Sequence, residues 1–195
     1  GLLGAAWPSI YPQLQVPVSY AGVISMIIAA GTIVASLMSE RLTRKLGSGG
    51  VTALSVATTA VALFGFSISD SFWLLCLWSI PYGLGAGSVD AALNNFVALH
   101  YSSRHMSWLH CFWGVGCSAG PYIMAWCLTG GMGWNMGYRI VCLLQIVLTA
   151  ILIFSLPLWK QKSASLADIP SDTDGKAKPF GLRRALKLPG VIHVL

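Results

Sequence analysis

The chain has 195 residues, of which 55% are hydrophobic and only 9% are charged. About a quarter of the residues are charged in a typical soluble domain, so this composition excludes a soluble globular fold. The net charge of +6 does not indicate a nucleic acid partner, because the basic residues lie between the apolar runs, where membrane topology requires them. Continuous rather than alternating apolar runs predict an all-α integral membrane protein surrounded by a lipid bilayer.

Apolar runs, taken in chain order, predict one partial and five complete spans. The partial span, about Gly1–Ile10, reads as the end of a first helix that is truncated at its start. The complete spans are about Tyr20–Met38, Val51–Ile68, Phe72–Leu99, Met106–Leu128 and Tyr138–Trp159. We therefore predict an N-terminal six-helix bundle over residues 1–159, a polar linker over residues 160–187, and the start of a seventh helix at residues 188–195.

Lys and Arg residues set the expected orientation of these spans. Eleven of the twelve fall after the second, fourth and sixth spans, and Arg139 alone falls on the other side. The positive-inside rule makes the eleven-residue side cytoplasmic, including the loops after the second and fourth spans and the linker 160–187. Five tryptophans near the predicted boundaries are expected to form aromatic belts: Trp73, Trp108, Trp126, Trp134 and Trp159.

The fourth span contains one charged side chain, Asp90, in the run FWLLCLWSIPYGLGAGSVDAALNNFVAL. A carboxylate in the hydrocarbon region costs about 3 kcal/mol even on lenient scales, and it normally faces a bundle interior or a water-filled cavity. Helical spacing places Gly83, Gly87, Asp90 and Asn94 on one face. Asp90 can carry a proton, and the Asn94 amide can both donate and accept hydrogen bonds, which suits a polyhydroxylated ligand. The alternative is that both side chains only bind neighbouring helices.

In the fifth span, His110 and Trp113 are candidate ligand contacts. An imidazole within an apolar run can relay protons or bind a solute, and an indole can stack on a sugar ring. The alternatives are a histidine satisfied by a neighbouring helix and a tryptophan that only packs. His100, His105 and His110 recur every five residues and share no helical face, so no metal site is expected. No cofactor is expected either.

A short charged segment, SERLTRKLGSGG, is predicted to be the loop after the second span. An acidic residue at a helix end with basic residues beyond it can form a charge network that breaks and reforms as domains rock. The alternative is a basic cluster that only sets topology, with an incidental glutamate. The candidate switch residues are Glu40, Arg41, Arg44 and Lys45.

This segment is similar to the loop signature of the major facilitator superfamily, G-x-x-x-D-R-x-G-R-K, which that family carries between its second and third helices. Ser36, Glu40 and Thr43 stand where the signature has its first glycine, its aspartate and its second glycine. Six spans and a long basic linker after the sixth also resemble the N-terminal half of such a transporter. Gly116, Gly120 and Pro121 resemble part of a fifth-helix signature that is fullest in drug–proton antiporters; its second half, a pair of glycines, is absent here.

Within that superfamily, DAALNNFVAL resembles the fourth-helix stretch of fucose-permease-like sugar–proton symporters, with aspartate in place of glutamate. In that branch an asparagine is found near the place of His110. The resemblance implies alternating access between two six-helix halves in a cell membrane, plasma or inner. The second half would be a missing partner of this chain. Asp90 would couple proton movement to uptake of a sugar-like solute bound by Asn94, His110 and Trp113. A drug or metabolite efflux antiporter is the first alternative. A membrane-embedded enzyme is disfavoured, because no nucleophile or metal set converges on Asp90 and His110.

Overall fold

A computed structural model describes the backbone of residues 1–167 and the side chains of residues 1–159. The described chain forms five helices: α1 Leu2–Gln13, α2 Tyr20–Ser67, α3 Phe72–His100, α4 Ser103–Thr129 and α5 Gly133–Ala167. Helices α2 to α5 each contain a stretch long and apolar enough to cross a membrane. Residues 1–161 form one compact unit. Helix α5 continues through the first part of the predicted linker; residues 168–187 and the predicted seventh helix at 188–195 lie outside the described residues.

Helix α2 is interrupted at Gly47, whose φ of 73° and ψ of 160° lie outside the helical region. This backbone conformation is essentially restricted to glycine. The Tyr20 ring, at the start of α2, lies 4.7 Å from the Phe72 ring, and Ser67, at the end of α2, precedes Phe72 by five residues. Both ends of α2 therefore lie at the start of α3, and the chain reverses direction at Gly47. We call the two segments α2a (residues 20–46) and α2b (residues 48–67).

Residues 39–46 are helical, although the sequence analysis placed them in a loop. Leu, Arg, Lys and Glu are good helix formers, so the charged segment extends α2a by about 12 Å beyond Met38. Arg44 Nη2 lies 3.8 Å from Glu40 Oε1, one helical turn away, which adds local support. The break falls at Gly47 because its left-handed backbone ends the helix there.

Helix α3 packs against α2a through glycines. A Cβ placed on Gly83 would lie 2.5 Å from Ile28 O, and one on Gly87 would collide with Thr32 O. Residue numbers rise together along this contact, so α2a and α3 run in the same direction. The Thr32 hydroxyl lies 3.0 Å from Ile28 O and 3.3 Å from Gly83 O, which joins the two helices at their closest approach.

The opposite side of α3 packs against α2b. A Cβ on Gly85 would lie 2.8 Å from Ser55 O, and the Trp78 indole packs directly on Gly65. Here residue numbers run in opposite senses, so α2b is antiparallel to α3. Gly83 and Gly87 thus let α3 pack closely on α2a, and Gly85 lets it pack closely on α2b. Larger residues at these positions would hold the backbones apart.

Helix α5 runs antiparallel along α2b. Successive contacts along the pair are Asn135 Nδ2 donating to Ser67 O at 2.9 Å, Cys142 Sγ to Ala60 O at 3.2 Å, and Thr59 Oγ1 lying 2.8 Å from Gln145 Oε1. Helix α4 contacts the bundle through its buried residues Met124 and Cys127. Its Gly120 also lies near Leu2 of α1.

The helix ends lie at two opposite ends of the bundle. One, which we call the core end, comprises residues 13–20, 67–72 and 129–135. The hydrophobic core lies toward it and includes Trp7, Ile10, Ile24, Leu63, Phe66, Leu75, Met124 and Tyr138. The other, the basic end, comprises residues 40–49, 96–105 and Trp159, where Trp159 packs on Gly49 and its ring centroid lies 4.7 Å from that of Phe96.

The five tryptophans expected in aromatic belts fall into two groups. Trp73, Trp108 and Trp126 are exposed, as an aromatic belt requires. Trp134 is instead buried, and its Nε1 donates to Gln13 Oε1 at 2.7 Å. Trp159 is half-buried against Phe96. The belt expectation is therefore wrong for Trp134, because its indole joins α5 to α1 at the core end of the bundle, and it stays a prediction for Trp159.

Candidate functional site

Asp90 and Asn94 form a polar pair on α3. The Asn94 amide Nδ2 donates to Asp90 Oδ1 at 3.1 Å. Asp90 is exposed and Asn94 is half-buried. The Asn94 carbonyl oxygen Oδ1 is buried, and no described residue donates a hydrogen bond to it. The pair therefore offers an accessible carboxylate beside an amide oxygen that has spare acceptor capacity.

The position of this pair follows from the glycine contact between α2a and α3. Gly83 lies level with Ile28 and Gly87 level with Thr32. Continued toward the basic end, the same register brings Asp90 and Asn94 level with residues 35 and 39, both of which are small and buried. Asp90 thus lies between the tight glycine contact and the charged end of α2a.

His110 and Trp113 lie on α4 and are both exposed, with Trp113 at 67%. Between residues 1 and 159, no hydrogen bond, ion pair or ring contact joins either of them to Asp90 or Asn94. The structure thus pairs the two α3 candidates with each other and leaves the two α4 candidates as separate, accessible groups one turn apart.

The charged segment forms the last turns of α2a at the basic end. Its one ion pair, between Glu40 and Arg44, lies within the helix, and both side chains are mostly exposed. Arg41 and Lys45 are also exposed. Among the described side chains no ion pair joins two helices, so the interhelical network expected from the sequence is not formed here. An exposed pair at this spacing is worth a few tenths of a kcal/mol, and it therefore exchanges partners at little cost.

A cavity of about 430 Å³ lies among α1, both segments of α2, α3 and α5. Its lining is mainly apolar, with the polar groups of Ser25, Tyr82 and Tyr138. The Phe66 and Tyr138 rings stack there at 5.3 Å. Ligand pockets span about 300–1,000 Å³, so a small solute would fit. None of these residues was predicted from the sequence as part of a site; the available signal was a tyrosine, Tyr82, directly before the glycine track.

The contact between Thr59 and Gln145 was also missed. Thr59 is buried and Gln145 is half-buried. The signal was a lone amide in the apolar run IVCLLQIVL, because an intramembrane amide without a partner is costly. This contact joins α2b to α5.

Residues that could hold a metal are also scattered. Throughout residues 1–159 there is no group of three or more His, Cys, Asp and Glu side chains placed to bind a metal ion. All five cysteines are free; Cys111 and Cys117 are exposed, whereas Cys76, Cys127 and Cys142 are buried.

Comparison with known proteins gives the family. A sequence profile of the Major Facilitator Superfamily matches residues 1–194. The chain belongs to the major facilitator superfamily. It is thus a multi-pass membrane protein of a transporter family, and this membership points to transport rather than to catalysis.

Several curated relatives match at low identity. "Uncharacterized transporter y4wD" of Sinorhizobium fredii (strain NBRC 101917 / NGR234) is 26% identical over 133 residues, covering 63% of this chain and 35% of the relative. Human synaptic vesicle glycoprotein 2A is 25% identical over 140 residues, covering 69% of this chain and 18% of the relative. Human synaptic vesicle glycoprotein 2B is 27% identical over 170 residues, covering 78% of this chain and 24% of the relative. The chain thus spans about a third or less of these relatives. No solved structure gives a significant match.

Proposed function

We propose that this chain is the N-terminal six-helix half of a secondary active transporter that takes up a sugar or similar small polar solute together with protons. Alternating access then arises as this half rocks against a C-terminal six-helix half. The six crossings are the end of a first helix in α1, then α2a, α2b, α3, α4 and α5. The observation that carries the proposal is the accessible Asp90 carboxylate, paired with Asn94 on a membrane-spanning helix of a transporter family.

In this proposal Asp90 is the proton-coupling residue. An ionised carboxylate resists passage through the closed, dehydrated state, because charge in the membrane interior is costly. Protonation removes that charge and permits reorientation. Asn94 lies one turn away and its amide Nδ2 donates to the Asp90 carboxylate, so solute binding at Asn94 is sensed by the carboxylate through this hydrogen bond. His110 and Trp113 supply further contacts from α4, with the indole as a stacking surface for a sugar ring.

The end of α2a acts as the conformational switch. Glu40, Arg41, Arg44 and Lys45 exchange their weak pairing within the helix for contacts with a neighbouring helix in another state. We further propose a plasma or inner membrane location with the basic end cytoplasmic. Clustering of Arg41, Arg44, Lys45 and Arg104 at that end supports this orientation.

The decisive experiment replaces Asp90 with asparagine in the full-length transporter, reconstituted in vesicles and assayed with a panel of sugars. Asp90→Asn keeps the shape and the hydrogen bond to Asn94 but cannot release a proton. We expect accumulation driven by a pH gradient to fall to simple equilibration, while solute exchange persists. Asp70→Asn is the matched control, because Asp70 is exposed in the turn before α3. Normal proton-driven accumulation by Asp90→Asn would rule out the coupling role.

A second candidate is efflux of a drug or metabolite in exchange for protons. The G-x-x-x-G-P element of α4 favours it, with Gly120 close enough to α1 that a Cβ would lie 3.7 Å from Leu2 Cδ1. The same vesicles distinguish the two functions. A symporter accumulates solute when the side opposite the solute is alkaline, and an antiporter accumulates it when that side is acidic.

A further inference from the structure

A shallow groove on α4 has the chemistry of a lipid site. It encloses about 290 Å³ and is lined by Trp108, Cys111, Phe112 and Val115, which repeat at i, i+3, i+4 and i+7. All four are exposed. Met124 and Cys127, which α4 buries in the bundle, lie on roughly the opposite side of the helix at 100° per residue. The groove therefore faces away from the rest of the described bundle.

The groove has one charged end. Arg104 lies one turn before Trp108, and its guanidinium carbon is 5.6 Å from the Trp108 ring centroid, within the range of a cation–π contact. Among the described residues Arg104 forms no ion pair. It lies at the basic end of the bundle with Arg41, Arg44 and Lys45, and such clusters attract anionic lipids.

The length of this surface matches one leaflet of a bilayer. Arg104 to Val115 covers eleven residue steps, about 16 Å along the helix axis. This is about half of a hydrocarbon core of about 30 Å. A cation at the boundary, an amphipathic indole next to it and an apolar groove below reproduce the order of groups in a phospholipid: phosphate, glycerol and acyl chain.

The groove is separate from the proposed transport site. His110 and Trp113 project from roughly the opposite side of α4 to the groove residues. A solute contacting the former would not meet the latter. Occupancy of the groove is thus a different property from transport, and the two can be tested independently.

We propose that Arg104 and this α4 groove bind an anionic phospholipid of the surrounding leaflet, with the phosphate at Arg104 and one acyl chain along Trp108, Phe112 and Val115. The anionic headgroup is selected by the unpaired guanidinium, and the chain is held by the apolar lining.

The test uses photo-crosslinking in vesicles. The full-length protein is placed in phosphatidylcholine vesicles that contain a trace of phosphatidylglycerol carrying a diazirine on its acyl chain, or the matched phosphatidylcholine probe. We expect the phosphatidylglycerol probe to label residues 108–115 several-fold more than the phosphatidylcholine probe. Arg104→Gln should lower labelling by phosphatidylglycerol about fivefold, the effect of one basic residue near an anionic surface. Arg104→Lys should retain most of it.

Two further variants test whether labelling depends on the groove and on the position of the cation. Val115→Trp should reduce labelling by filling the groove, and Arg139→Gln, which removes an exposed cation from the other end of the bundle, should leave labelling unchanged. Equal labelling by both probes means only a non-selective lipid layer and overturns the proposal. Absence of labelling at residues 108–115 means that another protein segment covers this face and also overturns it. Labelling of Arg104→Gln by the phosphatidylglycerol probe at the level of the unmodified protein also overturns the proposal.

Discussion

The glycine contact between α2a and α3 makes a specific prediction for Gly83→Ala. The added Cβ would lie 2.5 Å from Ile28 O and 3.0 Å from Ile28 Cα. Comfortable contacts between carbon and oxygen begin at about 3.3 Å, so the helices must separate by roughly 0.8 Å at this point. Both contacted atoms belong to the backbone, and no change of side-chain rotamer can relieve the collision.

The size of the effect follows from two opposing contributions. Alanine is favoured over glycine within a helix by up to about 1 kcal/mol. Overpacking a tight contact costs about 1–3 kcal/mol, and separation also lengthens the 3.3 Å approach of Thr32 Oγ1 to Gly83 O. The cost of the collision exceeds the gain in helix propensity, so we expect Gly83→Ala to lose about 1–2 kcal/mol of stability. For a chain of this size this corresponds to a lowering of the Tm by about 2–8 °C.

Thermal unfolding in detergent, followed by size-exclusion chromatography after heating, measures this loss. Gly116→Ala is the matched control, since Gly116 is also helical and a Cβ there would have no heavy atom within 4 Å. We expect that control to unfold at the original temperature or slightly above it. If Gly83→Ala unfolds no earlier than Gly116→Ala, the close approach of α2a and α3 is refuted, and with it the register that places Asp90.

Two other substitutions test the ends of the bundle. Gly47→Ala should destabilise the protein by about 1–3 kcal/mol, because an L-residue is strained at φ 73° and ψ 160°; urea or thermal unfolding that matches the unmodified protein would contradict the reversal of α2 at this residue. Trp134→Phe keeps a buried ring but removes the hydrogen bond to Gln13, whose exposed side chain can bond to water instead, so we expect a loss of about 0.5–1.5 kcal/mol in the same unfolding measurement; a Tm equal to that of the unmodified protein would contradict this contact.

The sequence predicted the helical membrane class well because hydrophobic burial in a bilayer leaves a strong one-dimensional signal. Where helices end is less certain, as the segment from residue 39 to 46 illustrates. Its charges were read as a loop, yet Glu40 and Arg44 are compatible with a helix that projects beyond the apolar layer. The reversal falls on a single glycine, Gly47, within a glycine-rich stretch that offered several candidates.

Tertiary partners were less predictable than helical faces. Spacing alone put Gly83, Gly87, Asp90 and Asn94 on one side of α3, but it could not tell that α2a would fill the glycine track. For the same reason Trp134 was expected at a lipid boundary. An indole N–H needs a partner wherever it lies, and only the fold brings Gln13, 121 residues away, within reach.

The packing of α3 also bears on how the proposed coupling would work. Gly83 and Gly85 face different segments of α2: Gly83 meets only the Ile28 backbone, and Gly85 meets the Ser55 carbonyl oxygen and the β-branched Thr59 side chain. Such contacts leave α3 little freedom to absorb a change at Asp90 by local adjustment. A change in protonation would then be passed along α2a, toward the weak Glu40–Arg44 pair at its end. Among the described residues, no side chain of α4 between residues 103 and 123 is buried, so this part of α4 would be the more mobile wall of the proposed site. We therefore expect coupling to depend on the rigidity of α2 and α3 more than on any direct contact between Asp90 and His110.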